Sequence, residues 1–371
     1  MKSSLVNRLE SEFLSSTDPV DRAILSAQIA CYLARVGDFE GAERRRKDLR
    51  AAFGDGRSPR VSILIMCLEA LLLFFRDLDS GARDRLVRAN LLSVACRERA
   101  LVALTSAWLA HIDFNAGRYE AMARSMQSCT ESLELDDGTA SCRLSLVLGD
   151  AFLYAGHELA ARKWYDDARI TASRLGDQAA IGAVTYNRAA LHVSNARIRR
   201  LSTVISKSEL MLIDAEVRSA VNYQAIAGLS SLDHLLRSTS VGSLMLANLH
   251  ADASNAIHSL IASAAVPSGS AELALLYSDN AHCLARLGSF ELADRMADAA
   301  NSISPEVFDS DDRALLFDGL ACYCDLVGKG ETAKAYRSRA GSALTEHQAT
   351  IAELNRLLQP FAPGPTRPTG V

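Results

Sequence analysis

Proline is scarce in this chain, with 8 among 371 residues and four of those in the last twelve. Pro19, Pro59, Pro267 and Pro305 mark helix edges. Pro19 follows Asp18, the arrangement of a proline at the first helical position behind a capping acid. Aromatic residues make up only 6% of the chain, and no segment keeps up an apolar-polar alternation, which excludes a sheet-based architecture. An excess of one charge is missing too. The formal net charge is −4, with acids and bases interspersed, so nothing attracts a phosphate backbone in general and nucleic acid is excluded as a main partner.

Long apolar runs are also lacking. The longest, Val61 to Phe75, is interrupted by Glu69 and is too short to span a bilayer, so it reads as a buried helix. The opening MKSSLVNRLESEFLSS is amphipathic and lacks the uninterrupted apolar core of a signal peptide, so a cytoplasmic location and no membrane association are expected. The eight cysteines, at 31, 67, 96, 129, 142, 283, 322 and 324, show no C-x-x-C spacing. They read as reduced, buried thiols.

Linear motifs for chemistry are absent as well. Gly328-Lys329-Gly330-Glu331-Thr332 lacks the upstream glycine and the strand of a phosphate loop, and Gly54-Asp55-Gly56 lacks that context too. His157-Glu158 has no second histidine four residues after the first. His250 and His258 stand two turns apart on a helix. Asp309, Asp311 and Asp312 precede a helix beginning near Arg313, where acids interact favourably with the helix N-terminus. Adjacent helical residues such as Asp166 and Asp167 point about 100° apart, which makes a poor acid-base pair. These observations predict no catalytic residue, no cofactor, no metal ligand and no enzyme.

What the chain does have is a repeated helix pair. In Leu148 to Ala168 one apolar helix ends at Ala155-Gly156 and a second starts near Glu158. Small residues (Gly149, Ala161, Ala168) stand where helices approach, and Leu148, Phe152 and Tyr165 fill the space beside them. A pair this thin cannot bury its apolar stripes alone and implies neighbours of the same kind. The same punctuation, a small residue closing a helix and an alanine five positions on, recurs at Gly37 with Ala42, Gly288 with Ala293 and Gly328 with Ala333. Gly117 has Met122 in that place, and Ala196 with Leu201 follows more loosely. Gly117 and Gly156 stand 39 apart, Gly156 and Ala196 40, Gly288 and Gly328 40, and Gly37 and Gly117 80, or two units. The unit inside that longer gap is Val61 to Leu92, turning near Leu78 to Gly81.

On these residues the chain resembles the tetratricopeptide repeat family. The match in the best unit runs through Leu148, Gly149, Phe152, Gly156, Ala161, Tyr165 and Ala168, and near the C-terminus through Ala281, Leu284, Gly288, Ala293, Ala297 and Ala300. The period of about forty exceeds the family's usual ~34. Residues 205 to 267 fall out of frame, with two longer helices expected over Leu210 to Leu236 and Val241 to Ala265. The resemblance implies an all-α fold, a right-handed α-solenoid of TPR-like helix-turn-helix repeats. The expected organisation is an N-terminal capping helix over 1-16 and a repeat block over 17-208. An irregular helical hinge over 209-270 comes next, then repeats with a capping helix over 271-358 and a disordered proline-rich tail over 359-371. The capping helix would turn Glu346, His347, Gln348 and Glu353 to solvent.

In the resembling family the first helix of each pair lines a concave groove. Carried over by position, this puts Arg143, Leu146, Asp150, Leu153 and Tyr154 on the groove in the best unit, and His111, Phe114 and Asn115 in the unit before it. Tyr186, Asn187 and Ala190 follow, then Ser278, His282 and Arg286, and finally Asp318 and Asp325. The implied function is a protein-binding or peptide-binding scaffold or adaptor in the bacterial cytoplasm. The alternative is a regulatory sensor whose groove holds a small ligand or signalling peptide. The basic run Arg44 to Lys47, with Arg50, reads as a solvated outer face.

Overall fold

The structure, a computed structural model, describes residues 3–134 and 137–363. Among these residues it is helical, with no strand, and no helix is long and apolar enough to cross a membrane. The first nine helices are α1 (Ser4–Ser15), α2 (Pro19–Val36), α3 (Phe39–Phe53), α4 (Pro59–Asp77), α5 (Gly81–Ala95), α6 (Arg99–Asn115), α7 (Tyr119–Ser132), α8 (Gly138–Tyr154) and α9 (Glu158–Leu175). The remainder are α10 (Gln178–Arg200), α11 (Lys207–Ala227), α12 (Asp233–Leu246), α13 (His250–Ala262), α14 (Ala271–Arg286), α15 (Phe290–Asn301), α16 (Ser310–Leu326) and α17 (Gly330–Leu358). Short 3-10 turns occupy Pro305–Val307 and Gln359–Phe361.

Local chemistry sets these boundaries. Asp18 accepts from the backbone N–H groups of Val20 and Asp21 at 2.7 and 2.8 Å, ahead of Pro19. The turns at Gly37, Gly117, Gly156, Gly288 and Gly328 all have φ between 64° and 92°, the left-handed region in which a glycine pays no Cβ penalty.

Several expectations need correction. Ala196 closes nothing, because α10 runs through it to Arg200. Leu210 to Leu236 is broken at Gly228 (φ 67°) to Leu232 (φ 55°), and Val241 to Ala265 is broken at Asn248 (φ 56°). The second break restores the period. Asn248 stands 40 residues before Gly288 and has Ala253 five positions on, so α12 and α13 form a pair in the forty-residue frame. Asparagine is the commonest substitute for glycine in the left-handed turn, and this unit is therefore written with a different letter. The helix expected to cap the C-terminus is continuous with α17, and His347 on it is buried rather than turned to solvent. Of the expected tail, 359–361 forms a 3-10 turn, and 364–371 lie outside the described residues.

The chain divides into two compact units: Met1–Thr185 with Asn222–Leu232 and Leu354–Val371, and Tyr186–Val221 with Asp233–Glu353. In the first unit the leading helices of the pairs stand in a row, α2 against α4, α4 against α6 and α6 against α8. Each second helix also leans on the next leading helix, α3 on α4, α5 on α6 and α7 on α8. The core follows the row, from Ala27, Ala30 and Ala34 through Ile63, Leu68 and Leu71 to Trp108 and Ile112. The far end of the row returns to its start. Arg35, near the end of α2, donates to Asp177 at 2.8 Å, and Ser3 donates to the carbonyl of Gly176 at 2.5 Å. Ser231 Oγ donates to the carbonyl of Arg35 at 2.6 Å. The second unit pairs α12 with α13 and α14 with α15, and sets α14 against α16. Its cores are alanine-rich, with Ala274, Ala281, Ala293, Ala297 and Ala333 at the contacts of one cluster.

Two glycines separate tight packing from plain helix propensity. A Cβ at Gly149 would lie 2.7 Å from Cδ1 of Tyr165, a ring held in place by its hydroxyl bond to Asp150 at 2.8 Å. Gly149→Ala is expected to cost roughly 1–3 kcal/mol by overpacking. Gly341, in the exposed middle of α17, has open space around it, and Gly341→Ala is expected to stabilise by up to about 1 kcal/mol. Thermal melts of the two variants check both signs. Asp177→Ala would leave the buried Arg35 without its partner and is expected to cost about 3–5 kcal/mol. Arg35→Met combined with Asp177→Asn keeps a cap for α10 and is expected to recover much of that loss in denaturant titrations.

Candidate functional site

Helix α8 is apolar on nearly every face, yet Arg143, Asp150 and Tyr154 fall at spacings of 7 and 4, which line them up along one side. Beside it, α6 presents Trp108 and His111. Arg143, His111 and Asp150 had been expected on an open groove, but they are only 5%, 6% and 1% exposed. Arg143 has Arg35 and Asp177 among its charged neighbours, where the Arg35–Asp177 contact joins α2 to the start of α10.

The groups around that contact are unevenly satisfied. Asp177 accepts Arg35 on Oδ2 and the Ala180 N–H on Oδ1, at 2.8 and 2.9 Å. Burial pulls the Arg35 guanidinium down, but the charge and hydrogen bond of Asp177 outweigh it and hold Arg35 above its ordinary value. Asp150 accepts the Tyr165 hydroxyl at 2.8 Å. Arg143 stacks over the Trp108 ring, 3.9 Å from its centroid, and makes no hydrogen bond or ion pair among the described residues, though its nitrogens are not sealed from solvent. Burial first, and the Arg35 charge second, lower its guanidinium to about 10. His111 lies edge-on to Trp108 and to Phe74, with ring centroids at 5.7 and 5.4 Å, and its Nδ1 has no partner. Burial, followed by the Arg143 charge, pushes the imidazole well below its usual value, so it is neutral.

One turn further toward the surface, three partly buried rings meet. Phe114 packs against Tyr154 at 6.0 Å and Tyr119 at 6.2 Å, and Tyr119 lies 6.2 Å from Tyr154. The exposed Asn115 donates to the His111 carbonyl at 2.8 Å. Beneath them Asp113, 1% exposed, accepts Arg83 and Arg118, each at 2.7 Å. Trp108, Asp113, Tyr119, Arg35 and Asp177 were not among the expected site residues. The available signal was a polar or aromatic residue one turn from another on the same helix, as Trp108 is from His111.

Tyr186, Asn187, His282 and Arg286 belong to the second unit. Tyr186 and Asn187 are partly buried on α10, with Tyr186 packed on the cluster of Ala189, Val193 and Val217. On α14, Arg286 Nε donates to His282 Nε2 at 3.3 Å. Burial, the neighbouring His250 and Arg286 bring the His282 imidazole down to about 4, the neutral form that can accept this bond. Arg197 on α10 donates to both oxygens of Asp279, at 2.7 and 2.9 Å. Near it stand the acids at the start of α16, with Asp311 and Asp312 in its first turn. Asp309 occupies the N-cap position, but its side chain makes no capping bond, and Asp312 is pushed up to about 8 by burial and by Asp311 and Asp309. Among the described residues no three His, Cys, Asp or Glu side chains converge to hold a metal ion.

The basic run on α3 is more than a solvated face. Glu69, the residue that interrupts the apolar α4, faces Arg50 at 2.7 Å, Arg85 at 3.3 Å and Arg46 at 3.6 Å, while Arg44 and Lys47 stay exposed. A cleft of about 830 Å³ lies between α1, α2 and α3, with Arg22 and Arg45 stacked on Phe13 within it. All eight cysteines are free, and burial raises Cys31, Cys129 and Cys283 to about 12, which keeps them as thiols. No protein-family model matches this chain, and no curated protein matches it.

Asp312 yields a pH test with a definite sign. Its carboxyl titrates at about 8 when folded, above the ordinary 3.8, so the folded state holds the proton more tightly and stability drains away as pH rises from about 4 to about 8. Asp312→Asn carries no charge at any pH. Its melting-temperature advantage over the parent is expected to widen from pH 5 to pH 8 and then level off. A constant difference across that range would show that Asp312 is ionised in the folded protein.

Proposed function

We propose that this chain is a non-catalytic binding protein, a right-handed α-solenoid of tetratricopeptide-like pairs that takes a protein or peptide partner in a cytoplasmic setting. The observation that supports it most is the cluster of Phe114, Tyr119 and Tyr154, three rings in mutual contact and only partly buried, beside the exposed Asn115. Aromatic groups of this kind are the side chains that most often anchor a partner. The forty-residue spacing of Asn248, Gly288 and Gly328, with α12 to α17 paired around them, supports the repeat reading. Eight free thiols with no disulfide among them support a reducing compartment.

A second reading, a regulatory sensor holding a small ligand or signalling peptide, is favoured by one specific observation. His111 has a buried Nδ1 with no partner, and beside it Arg143, 5% exposed, meets no protein acceptor among the described residues, which suits a ligand group that reaches inside better than a surface laid over the helices.

The two surfaces are separable. Phe114→Ala and Tyr154→Ala are each expected to weaken capture of a stoichiometric partner by about 1 kcal/mol or more. Charge reversal at the exposed Arg44 and Lys47 is expected to change mainly its salt dependence. Quantitative pull-down at two salt concentrations, with melting temperatures measured alongside, reads both. Full affinity in the aromatic variants together with loss in the Arg44 and Lys47 variants would move the binding surface to the outer face.

A further inference from the structure

We infer that the first unit contains a subsite for an oxyanion, a carboxylate or a phosphate group, held by Arg143 and His111 against the face of Trp108. This rests on the sensor reading and names the chemistry of its ligand.

The first step is an inventory of donors and acceptors. A guanidinium offers five N–H donors in a fixed plane. In Arg143 none of them meets an acceptor among the described residues, although the side chain is 5% exposed. The nearby groups are already occupied. Asp177 holds Arg35 and caps α10, Asp150 holds the Tyr165 hydroxyl, and the Cys142 thiol donates to the carbonyl of Ala168 at 3.4 Å. Arg35 adds a second positive charge close by. His111 touches the same tryptophan, and its buried Nδ1 has no partner.

The guanidinium nitrogens of Arg143 are not sealed from solvent, but a charge in so closed a position without a protein acceptor is costly, and apolar residues often pack such positions more stably. Leu146 and Val147, on the same helix, are completely enclosed without any such penalty. With no protein acceptor among the described residues, Arg143 has its donors available to an acceptor from outside. Its planar fork donates to two oxygens of one oxyanion side by side, and neutral His111 in its Nδ1–H form supplies a further donor. Trp108, on the opposite face of the guanidinium, holds the plane in place.

The chain contains only two tryptophans, Trp108 and Trp164, so Trp164→Phe makes Trp108 the sole emitter and a direct reporter of Arg143. Full-length protein with this change is titrated with inorganic phosphate, with sodium acetate and with sodium chloride at matched ionic strength, while Trp108 emission and melting temperature are followed. Phosphate, acetate or both are expected to shift the emission saturably and to raise the melting temperature, and chloride is not. A response to phosphate alone assigns a phosphorylated ligand, and a response to acetate alone a carboxylate. Arg143→Met is expected to melt above the parent in anion-free buffer and to lose the response, while Arg143→Lys keeps the charge but needs at least tenfold more anion. Equal responses to all three salts, or a response that persists in Arg143→Met, would overturn the subsite. So would an Arg143→Met variant that melts lower while the parent shows no anion response, since this would make Arg143 a packing residue. The surface reading survives any of these results, because it is tested on Phe114 and Tyr154.

Discussion

Asp177 serves two donors with one carboxylate, and the first unit depends on that economy. One oxygen takes the guanidinium of Arg35 from α2, and the other takes the N–H of Ala180 in the first turn of α10. The pair is buried, so the attraction must exceed the cost of stripping water from both ions, which it does only when the remaining lone pairs and protons are also satisfied. Backbone carbonyls beside the pair are bonded as well. The backbone carbonyl of Arg35 accepts Ser231, and the carbonyl of Gly176 beside Asp177 accepts Ser3. A row of helix pairs is ordinarily held only by nearest neighbours. Here residues 142 positions apart join its start to its end.

Closure fixes the character of the interior. On α6 and α8 the polar residues His111, Asp113, Arg143 and Asp150 are 6% exposed or less, so each gains most from a partner within the protein. Asp113 finds Arg83 and Arg118, and Asp150 finds Tyr165. Arg143 finds only the face of Trp108. The two carboxylates near it are already committed, Asp150 to the Tyr165 hydroxyl and Asp177 to the closing contact, so the interaction that stabilises the unit also helps to leave Arg143 open.

The helix pairs were legible in the sequence because their punctuation is local. A left-handed residue ends one helix and a small residue five positions on admits the next, as at Gly37 with Ala42 and Gly156 with Ala161. A period read from glycines passes over Asn248 and Leu78, which adopt the same positive φ without being glycine. That is why a regular pair at α12 and α13 looked like an irregular hinge. The residue types of the candidate site were legible too, since Arg143 and Asp150 interrupt an otherwise apolar helix. Their burial was not. Sequence spacing says which residues share a face, while the rotation from one pair to the next decides whether that face is a groove or an interior, and this rotation is a sum of many small packing contacts.

The second unit shows the opposite surplus and resolves it differently. Arg197 is fully met by Asp279, and the acids near it are in excess, with Asp309, Asp311 and Asp312 crowded at the start of α16. A carboxylate can escape burial by taking up a proton, and Asp312 does so, titrating near 8. A guanidinium has no such exit. Even lowered to about 10, Arg143 stays charged at neutral pH. Excess acid is thus neutralised by solvent protons inside the fold, whereas an excess buried arginine is neutralised only by an anion from elsewhere. Of the two polar interiors, the one around Arg143 is therefore the one whose chemistry calls for a ligand.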